Sequence, residues 1–385
     1  MTPEESALRR QEIAEKRERL TRLLQSLKLD ALLVGRRDNF AWVTAGGDNH
    51  VALATETGEG YLLVEPDRWT LVATNIETPR LTREELGDLP VPLDVEAAPW
   101  WQGVELTIER LVKGRRVGSD TGVAGTPNVA AALRELRLPL TVPECQRIRV
   151  VGRQASEALE AVMTRELAPG QPELELAGRI SRALWERGLE PTVVLVAADD
   201  RVRQFRHPVP TARAVDRYGM GVVCARRGGL TVALTRLAHF GRVPGDLRAR
   251  HEAVCRVDAA MMAATRPGVR VADVLEAGAR AYRKEGFGEE WRLHHQGGAI
   301  GYANREYLAT PDGSQVVTAP AAFAWNPSIT GTKSEDTILV GANSRDGIEI
   351  ITAHSPAWPT VQVEVAGQSL PRPGILELAR SRASG

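Results

Sequence analysis

The chain has 385 residues, of which 25% are charged, and its 49 basic and 49 acidic residues give a formal net charge of zero. This length allows two domains with well-buried cores, and the balanced charge gives no reason to expect a nucleic acid or an anionic membrane as a partner. We see no apolar run long enough to cross a bilayer, which argues against a membrane protein.

The cysteines and the N-terminal segment indicate a compartment. Cys145, Cys224 and Cys255 are far apart and include no CxxC pair, so neither a disulfide framework nor a zinc knot is expected. The first residues are acidic and then basic, without the apolar core of a signal peptide. We therefore expect a reduced, cytoplasmic protein.

The first 145 residues predict an α/β domain. The capping residues Thr2 and Pro3, followed by one apolar stripe, predict a helix over 2–27. Short apolar runs between Gly, Asn and Asp turns predict strands at 31–34, 40–43, 51–54, 61–64 and 70–73. Further helices are expected at 78–86, 105–112 and 129–136, and this mixture is typical of an α/β layer architecture.

Residues 146–385 predict a second domain, which follows a boundary segment at 143–147. Apolar periodicity predicts a buried strand at 192–197 and helices at 155–167, 173–188, 247–265 and 271–285. Gly188 suits the C-terminal end of the second of these helices because glycine readily adopts the left-handed conformation found there.

Four short motifs of the second domain lie between Phe205 and Thr337. They are His207-Pro208, Thr235-Arg236, the glycine-rich loop 297–301 and Glu335-Asp336. Their spacing, with helices that end at Pro267-Gly268 and at Gly286, resembles the catalytic domain of the creatinase/aminopeptidase family. That family includes Xaa-Pro aminopeptidases, prolidases, methionine aminopeptidases and creatinase. Residues 39–46 resemble, more loosely, a turn of its N-terminal domain.

The resemblance implies an architecture and an assembly. The expected fold is α/β (α+β), with a creatinase-type N-terminal domain over 1–145 and a pita-bread domain over 146–385. In the pita-bread fold, two αβ halves surround a curved antiparallel sheet. The family resemblance also implies a homodimer, in which the N-terminal domain of one subunit often borders the active site of the other.

Peptidases of this family hold two divalent cations with four carboxylates and one histidine. Placed by their flanking motifs, the five ligand positions fall on Val222, Ala233, Gly298, Asn326 and Glu335. A dinuclear site of this kind requires several carboxylate oxygens, and only Glu335 supplies a carboxylate. The resemblance therefore implies the fold without its dinuclear metal site, and we expect no metal and no other cofactor. A single metal on Glu335 with His294 or His295 is the alternative.

Creatinase is a metal-free hydrolase of this family, and it suggests roles for the polar residues that are left. The resemblance places its acid/base histidine on His207, its substrate-carboxylate arginine on Arg305 and a guanidinium-binding glutamate on Glu335. Thr235 stands where creatinase has a catalytic glutamate, and Gly298 stands where it has a second active-site histidine. Creatine is therefore not a supported substrate.

The same residues also have structural interpretations. His207 could bond to backbone at the end of a strand. Glu335 and Asp336 could form buried ion pairs with Lys333 or Arg236, because buried carboxylates need such partners. Trp42 and the Trp100-Trp101 pair, which could line a pocket, could instead be core or edge aromatics of the first domain. Arg305 could take part in a surface ion pair with Glu306 or Glu290.

Three functional hypotheses follow. The first is a pseudo-peptidase that binds a peptide, a small carboxylate or a protein partner. The second is a metal-independent, creatinase-like hydrolase of a C–N bond with His207 as general acid/base. The third is an active Xaa-Pro metallopeptidase. The predicted catalytic residues are His207 and Glu335, and the predicted ligand-binding residues are Arg305, Arg236, His294, Asn326 and Trp42.

Overall fold

The computed structural model of the chain describes residues 3–342 and 347–379, with side chains from residue 6 onward. It contains two compact units, one made of Met1–Pro143 with Gly228–Leu230 and the other of Glu144–Arg227 with Thr231–Gly385. Each unit combines helices and sheets, which confirms the predicted α/β (α+β) class. The predicted assignment of 1–145 and 146–385 to two family domains stays a prediction. Among the described residues, no helix is long and apolar enough to span a membrane.

The first unit is built on a five-stranded sheet. Its strands are β1 (Ala31–Arg36), β2 (Thr57–Val64), β3 (Trp69–Thr74), β4 (Leu93–Ala98) and β5 (Val117–Ser119), in the order β4-β3-β2-β1-β5. Its α-helices are α1 (Pro3–Leu27), α2 (Arg37–Val43), α3 (Thr78–Arg80), α4 (Glu105–Val112) and α5 (Ala130–Arg137). Ile108 of α4 packs with Leu33, Val72 and other buried residues of the sheet, so α4 covers one of its faces.

Two of the predicted strands in this unit are wrong. Residues 40–43 form the end of α2, where all four side chains are fully buried, and periodicity cannot separate a short buried helix from a buried strand. Residues 51–54 are exposed turns. The unpredicted strand β4 has mostly partly buried and exposed residues without a regular alternation, and it carries two acidic side chains, which weakens its apolar signal. The predicted cap at Thr2 lies outside the described residues.

The remaining helices and strands follow from Val142 onward. The helices are α6 (Val142–Arg165), α7 (Glu173–Trp185), α8 (Arg201–Gln204), α9 (Gly245–Ala264) and α10 (Val271–Lys284). The first seven strands are β6 (Glu190–Ala198), β7 (Tyr218–Arg227), β8 (Leu230–Phe240), β9 (Gly297–Ile300), β10 (Tyr307–Leu308), β11 (Ala321–Trp325) and β12 (Ser328–Ile329). The last six are β13 (Thr332–Lys333), β14 (Asp336–Val340), β15 (Ile348–Ile350), β16 (Thr360–Val365), β17 (Gln368–Pro373) and β18 (Ile375–Leu378).

The predicted elements of this part of the chain are found with shifted ends. Helices at 173–188, 247–265 and 271–285 and the strand at 192–197 correspond to α7, α9, α10 and β6. The predicted helix at 155–167 is only the C-terminal half of α6, which begins at Val142. Pro143 is tolerated as the second residue of this helix because the first turn has no intrahelical acceptor for its missing N–H.

Two sheets carry the site. One has the order β18-β8-β7-β6 and the other the order β10-β9-β11-β14-β15. In the second sheet, Trp325 at the end of β11 faces Asp336 at the start of β14 and Gly297 at the start of β9. The loop residues just outside these strand ends, including Asn326 and Glu335, are thereby held at one end of the sheet. The two sheets are joined where the Thr235 N–H donates to the Glu335 carbonyl oxygen at 3.1 Å.

A fully buried ion network holds the second unit together. Arg236 of β8 lies 2.8 Å from Glu160 of α6 and 3.1 Å from Asp336 of β14. Arg372 of β17 lies 2.7 Å from the other oxygen of Asp336 and 2.7 Å from Asp258 of α9. Asp336 therefore bridges two arginines, and the network joins the elements α6, α9, β8, β14 and β17. Removing one partner of such a network leaves uncompensated buried charge.

We predict that Asp336→Asn lowers the free energy of unfolding by about 3–5 kcal/mol, because two buried guanidinium groups then face a neutral amide. Urea denaturation followed by circular dichroism measures the change. The matched control is Glu186→Gln, which breaks the exposed pair with Arg182 and should change stability by less than about 1 kcal/mol. Equal effects of the two substitutions would show that the buried network does not carry the stability we assign to it.

Candidate functional site

Three of the five positions aligned with family metal ligands offer no side-chain donor atom. Val222 lies in an apolar cluster with Tyr218, Met220 and Leu237. Ala233 is fully buried, and its backbone N–H donates to Thr337 Oγ1 at 2.8 Å. Hydrocarbon side chains at these two strand positions cannot hold a cation, and they contribute instead to the packing of the sheet.

The third of these positions, Gly298, is closed by neighbouring backbone. A Cβ atom built on Gly298 overlaps the Tyr307 carbonyl oxygen and lies 3.1 Å from the Leu308 Cα atom. Both atoms belong to the backbone of β10, which pairs directly with β9 at this point. A side chain at residue 298 therefore requires a shift of the strand, whereas glycine allows the close approach.

Glu335 keeps a carboxylate at the fifth position, and both of its oxygens have partners. Oε2 lies 2.8 Å from the Lys333 ammonium and accepts a 2.6 Å hydrogen bond from Thr235 Oγ1, while Oε1 lies 3.2 Å from Arg305 Nη2. Burial opposes ionisation of Glu335, but Lys333 and Arg305 outweigh it and lower the pKa of this carboxyl. One carboxylate therefore faces two cations, which leaves a local excess of one positive charge.

Arg305 retains an unused donor. Its Nη1 donates to its own neighbour's carbonyl, Asn304 O, at 2.7 Å, and its Nη2 contacts Glu335. Its Nε–H is buried and has no hydrogen-bond partner among the described residues. A buried guanidinium N–H without a partner is energetically costly, and an anionic ligand is the partner that its charge favours. The predicted pair with Glu290 is not formed, because Glu290 contacts Arg206 instead.

Three histidines meet beside this carboxylate, and we call His207, His294 and His295 the histidine cluster. The Nε2 atoms of His207 and His294 lie 3.1 Å apart, and the ring centroids of His294 and His295 lie 4.6 Å apart. Burial of His294 and partial burial of the more exposed His207, each followed by the positive charge of Lys333, lower the pKa values of these two residues. Burial and Arg305 lower the pKa of His295 to about 4. All three imidazoles are therefore neutral at pH 7.

An ion pair positions the loop that carries His207. Arg206 Nη2 lies 2.6 Å from Glu290 Oε2 and donates to Thr330 Oγ1 at 2.9 Å. Glu290 begins the 3-10 turn Glu290–Leu293, which leads directly into His294. The residue before His207 is thus tied to the turn before His294, and this contact brings together histidines that are 87 positions apart in the sequence.

Several predicted site residues are not part of this arrangement. Arg236 is fully buried, and its donors are used by Glu160, Asp336 and backbone carbonyls, which favours a structural role over the predicted contact with a ligand. Trp42 belongs to the first unit, where it is 0% exposed and has the Lys16 ammonium 5.3 Å from its ring centroid. Asn326 is buried, its N–H donates to Gln296 O at 3.1 Å, and its Oδ1 has no described partner.

Lys333, Thr235 and His295 are site residues that the sequence-based set of catalytic and ligand-binding positions leaves out. Lys333 and Glu335 are two positions apart, and such residues point to the same face of an extended strand. The structural alternative drawn from the sequence included this Lys333–Glu335 ion pair, and the structure contains it at 2.8 Å. The contact of Thr235 with Glu335 joins residues 100 positions apart and has no equivalent local signal. Lys333, Arg305 and Glu335 form a partly buried site with a net positive charge, and the neutral imidazoles of the histidine cluster lie beside it.

Comparison with known proteins shows which protein family and which solved structures this chain resembles. The model of metallopeptidase family M24 matches residues 146–342, just over half of the chain. No curated protein sequence matches it significantly. Among solved structures, the prolidase from Pyrococcus horikoshii OT3 has a TM-score of 0.73 at 18% identity, covering 89% of this chain and 99% of that chain. The Xaa-Pro dipeptidase from Bacillus anthracis has a TM-score of 0.72 at 17% identity, covering 95% and 100%.

The fold also occurs in a protein that is not named as a peptidase. The N-terminal domain of FACT complex subunit SPT16 from Cicer arietinum (chickpea) has a TM-score of 0.66 at 12% identity, covering 90% of this chain and 96% of that chain. At these identities the structural matches show the fold alone, a pita-bread domain with an N-terminal domain, as predicted. The family match goes further: this chain belongs to metallopeptidase family M24, the creatinase/aminopeptidase family.

Proposed function

We propose that this protein is a pseudo-peptidase that has lost the dinuclear metal site of its family and binds a peptide or a small carboxylate ligand. The observation that carries the proposal is the state of Glu335, whose two carboxylate oxygens are engaged by Lys333, Arg305 and Thr235. A divalent cation at this carboxylate would have to displace an ammonium group that lies 2.8 Å away.

The donor set around Glu335 supports loss of the dinuclear site. Val222, Ala233 and Gly298 supply no ligand atom, and Asn326 supplies at most a neutral amide oxygen. Two carboxylate-bridged cations place about four positive charges in a small volume, and one carboxylate does not balance them. The steric closure of residue 298 by β10 adds a packing reason that is independent of charge.

The remaining charge supports an anionic ligand. Lys333 and Arg305 exceed Glu335 by one positive charge, and Arg305 Nε lacks a partner among the described residues. A guanidinium binds a carboxylate with charge-assisted hydrogen bonds, which are about twice as strong as neutral ones. The carboxyl terminus of a peptide and a small organic acid both offer this group.

A second candidate function is metal-independent hydrolysis of a C–N bond with His207 as general base. The supporting observation is that His207 is an exposed, neutral imidazole only 3.1 Å from His294. Such a group can accept a proton from a substrate or a water molecule. Lys333 and Arg305 could then hold the carboxylate of the substrate.

The localisation, the oligomeric state and the class of partner are proposals as well. On the family resemblance and the cysteine pattern, we propose a cytoplasmic homodimer that does not use nucleic acid or membrane as its partner. Of the three solved structures named above, two are named as a prolidase or a dipeptidase and one as a subunit of the FACT complex. The fold is therefore compatible with either a catalytic or a binding role.

We predict that protein purified without chelator and supplied with Mn²⁺ or Co²⁺ does not cleave Xaa-Pro dipeptides, and that Glu335→Gln leaves its metal content unchanged. The reason is that Glu335 is held by Lys333 and Arg305 and is not a metal ligand. Elemental analysis by mass spectrometry and a dipeptide cleavage assay measure the two quantities. Two metal ions per chain that depend on Glu335, together with cleavage, would contradict loss of the dinuclear site.

We predict that Arg305→Gln weakens binding of carboxylate probes by about 10-fold to 100-fold, because one charge-assisted contact contributes about 1.5–3 kcal/mol. Isothermal titration calorimetry with a panel of Xaa-Pro dipeptides and N-acyl amino acids measures the affinity. The control is Arg280→Gln, which removes an exposed arginine of α10 and should leave affinities within about 2-fold. If the probes bind neither the wild-type protein nor Arg305→Gln, or bind both equally, the proposed role of Arg305 is wrong.

The second candidate predicts a particular pH dependence. The pKa of His207 is lowered by burial and by Lys333, so the base stays neutral and active at pH 6.5, the ordinary histidine value. Activity is lost as the pH falls through the lower pKa of the folded protein. A profile of kcat/KM against pH for amide and amidine substrates tests this, with a loss of about 100-fold or more in His207→Ala. Absence of turnover in the wild-type protein rejects the candidate.

A further inference from the structure

We propose that the histidine cluster is a mononuclear binding site for a borderline divalent transition ion such as Zn²⁺, with one ligand nitrogen each from His207, His294 and His295. This site uses none of the five ligand positions of the family. It also differs from the sequence-based alternative of a metal on Glu335, since that carboxylate is occupied by Lys333.

The geometry is close to that of a three-nitrogen site. One ligand atom from each of the three histidines lies within 4.8 Å of those of the other two. In a tetrahedral zinc site with Zn–N bonds of about 2.0–2.1 Å, neighbouring nitrogens lie about 3.3–3.4 Å apart. The His207 and His294 nitrogens already lie 3.1 Å apart. The His295 nitrogen lies no more than 4.8 Å from the other two. A shift of that nitrogen by at most about 1.5 Å therefore closes the triangle.

The protonation state and hydrogen bonding suit metal ligands. A zinc-binding imidazole must be neutral, and burial lowers the pKa values of all three residues. The Nδ1 atom of His295 is buried and has no hydrogen-bond partner among the described residues. Ser328 Oγ lies 3.4 Å from His294 Nδ1, on the side of the ring away from the His207 contact. Such a contact orients a ligating ring through its other nitrogen.

The charges of Lys333 and Glu335 determine which second ligand the proposed metal site would favour. Lys333 lies close enough to lower the pKa values of His207 and His294, so it also disfavours a bound dication. Glu335 offsets one of the two nearby cations. Three protein ligands leave an open coordination position, as in catalytic zinc sites. An anion at that position, hydroxide or a carboxylate, would balance the charge, so the ion and an acidic ligand should bind cooperatively.

The test is a Co²⁺ titration of the full-length, tag-free protein after chelator treatment and dialysis, followed by visible absorption. We expect one equivalent of Co²⁺ to bind with the absorption of a four-coordinate nitrogen site, and Zn²⁺ to displace it. His294→Ala and His295→Ala should each weaken Co²⁺ binding by about 100-fold or more, while their circular dichroism stays that of the wild-type protein. His207→Ala changes an exposed side chain and gives the same test where a buried variant fails to fold.

The matched control is His354→Ala, a histidine of the same unit that contacts Thr360 outside the cluster. It should bind Co²⁺ like the wild-type protein. No uptake at excess Co²⁺, or uptake that survives all three cluster substitutions, overturns the site. Metal that is lost with Glu335→Gln but kept in the histidine variants overturns it too and would instead indicate the family's own position. None of these outcomes depends on whether the protein binds a peptide or has lost peptidase activity.

Discussion

The position of Asp336 between Arg236 and Arg372 is the constraint on which the site depends. All three side chains are fully buried, and the two arginines reach the carboxylate at 3.1 and 2.7 Å. The chain neighbours of two of these residues, Thr235 and Glu335, form the 2.6 Å hydrogen bond at the centre of the candidate site. Successive residues of an extended chain point to opposite faces. One face of these two segments thus holds the fold, and the other presents the site.

Because of this coupling, the motif residues that hold the fold together do not depend on what the site binds. Arg236 and Asp336 are needed for stability whatever the site binds, because either one alone would be an uncompensated buried charge. Glu335 has the same dependence on Lys333 and Arg305, which lower its pKa against the effect of burial. A motif such as Glu-Asp can therefore identify ancestry without identifying a reaction. Function has to be argued from what surrounds each side chain.

The sequence predicted the fold class, the family and the long helices from Ala155 onward, because long periodic segments and glycine-rich motifs are local signals. Of the strands in that part of the chain it predicted only the one at 192–197, because short strands carry little periodic signal. It placed residues 40–43 in a strand because a fully buried helical turn has no polar face. It offered an Arg236–Asp336 ion pair as an alternative, and the structure contains that pair. It could not predict the second partner of Arg236, Glu160, which is 76 positions away. The histidine cluster was missed as a unit for the same reason.

The close approach of β10 to Gly298 limits the substitutions that this chain can accept. The neighbouring strand occupies the space that a histidine side chain at residue 298 would need, and the obstacle is main chain rather than a movable side chain. A histidine introduced at residue 298 would disrupt the Leu308–Gly298 pairing before it could supply a ligand. A metal ligand at this position therefore needs at least two changes, the histidine itself and a displacement of β10 that makes room for it.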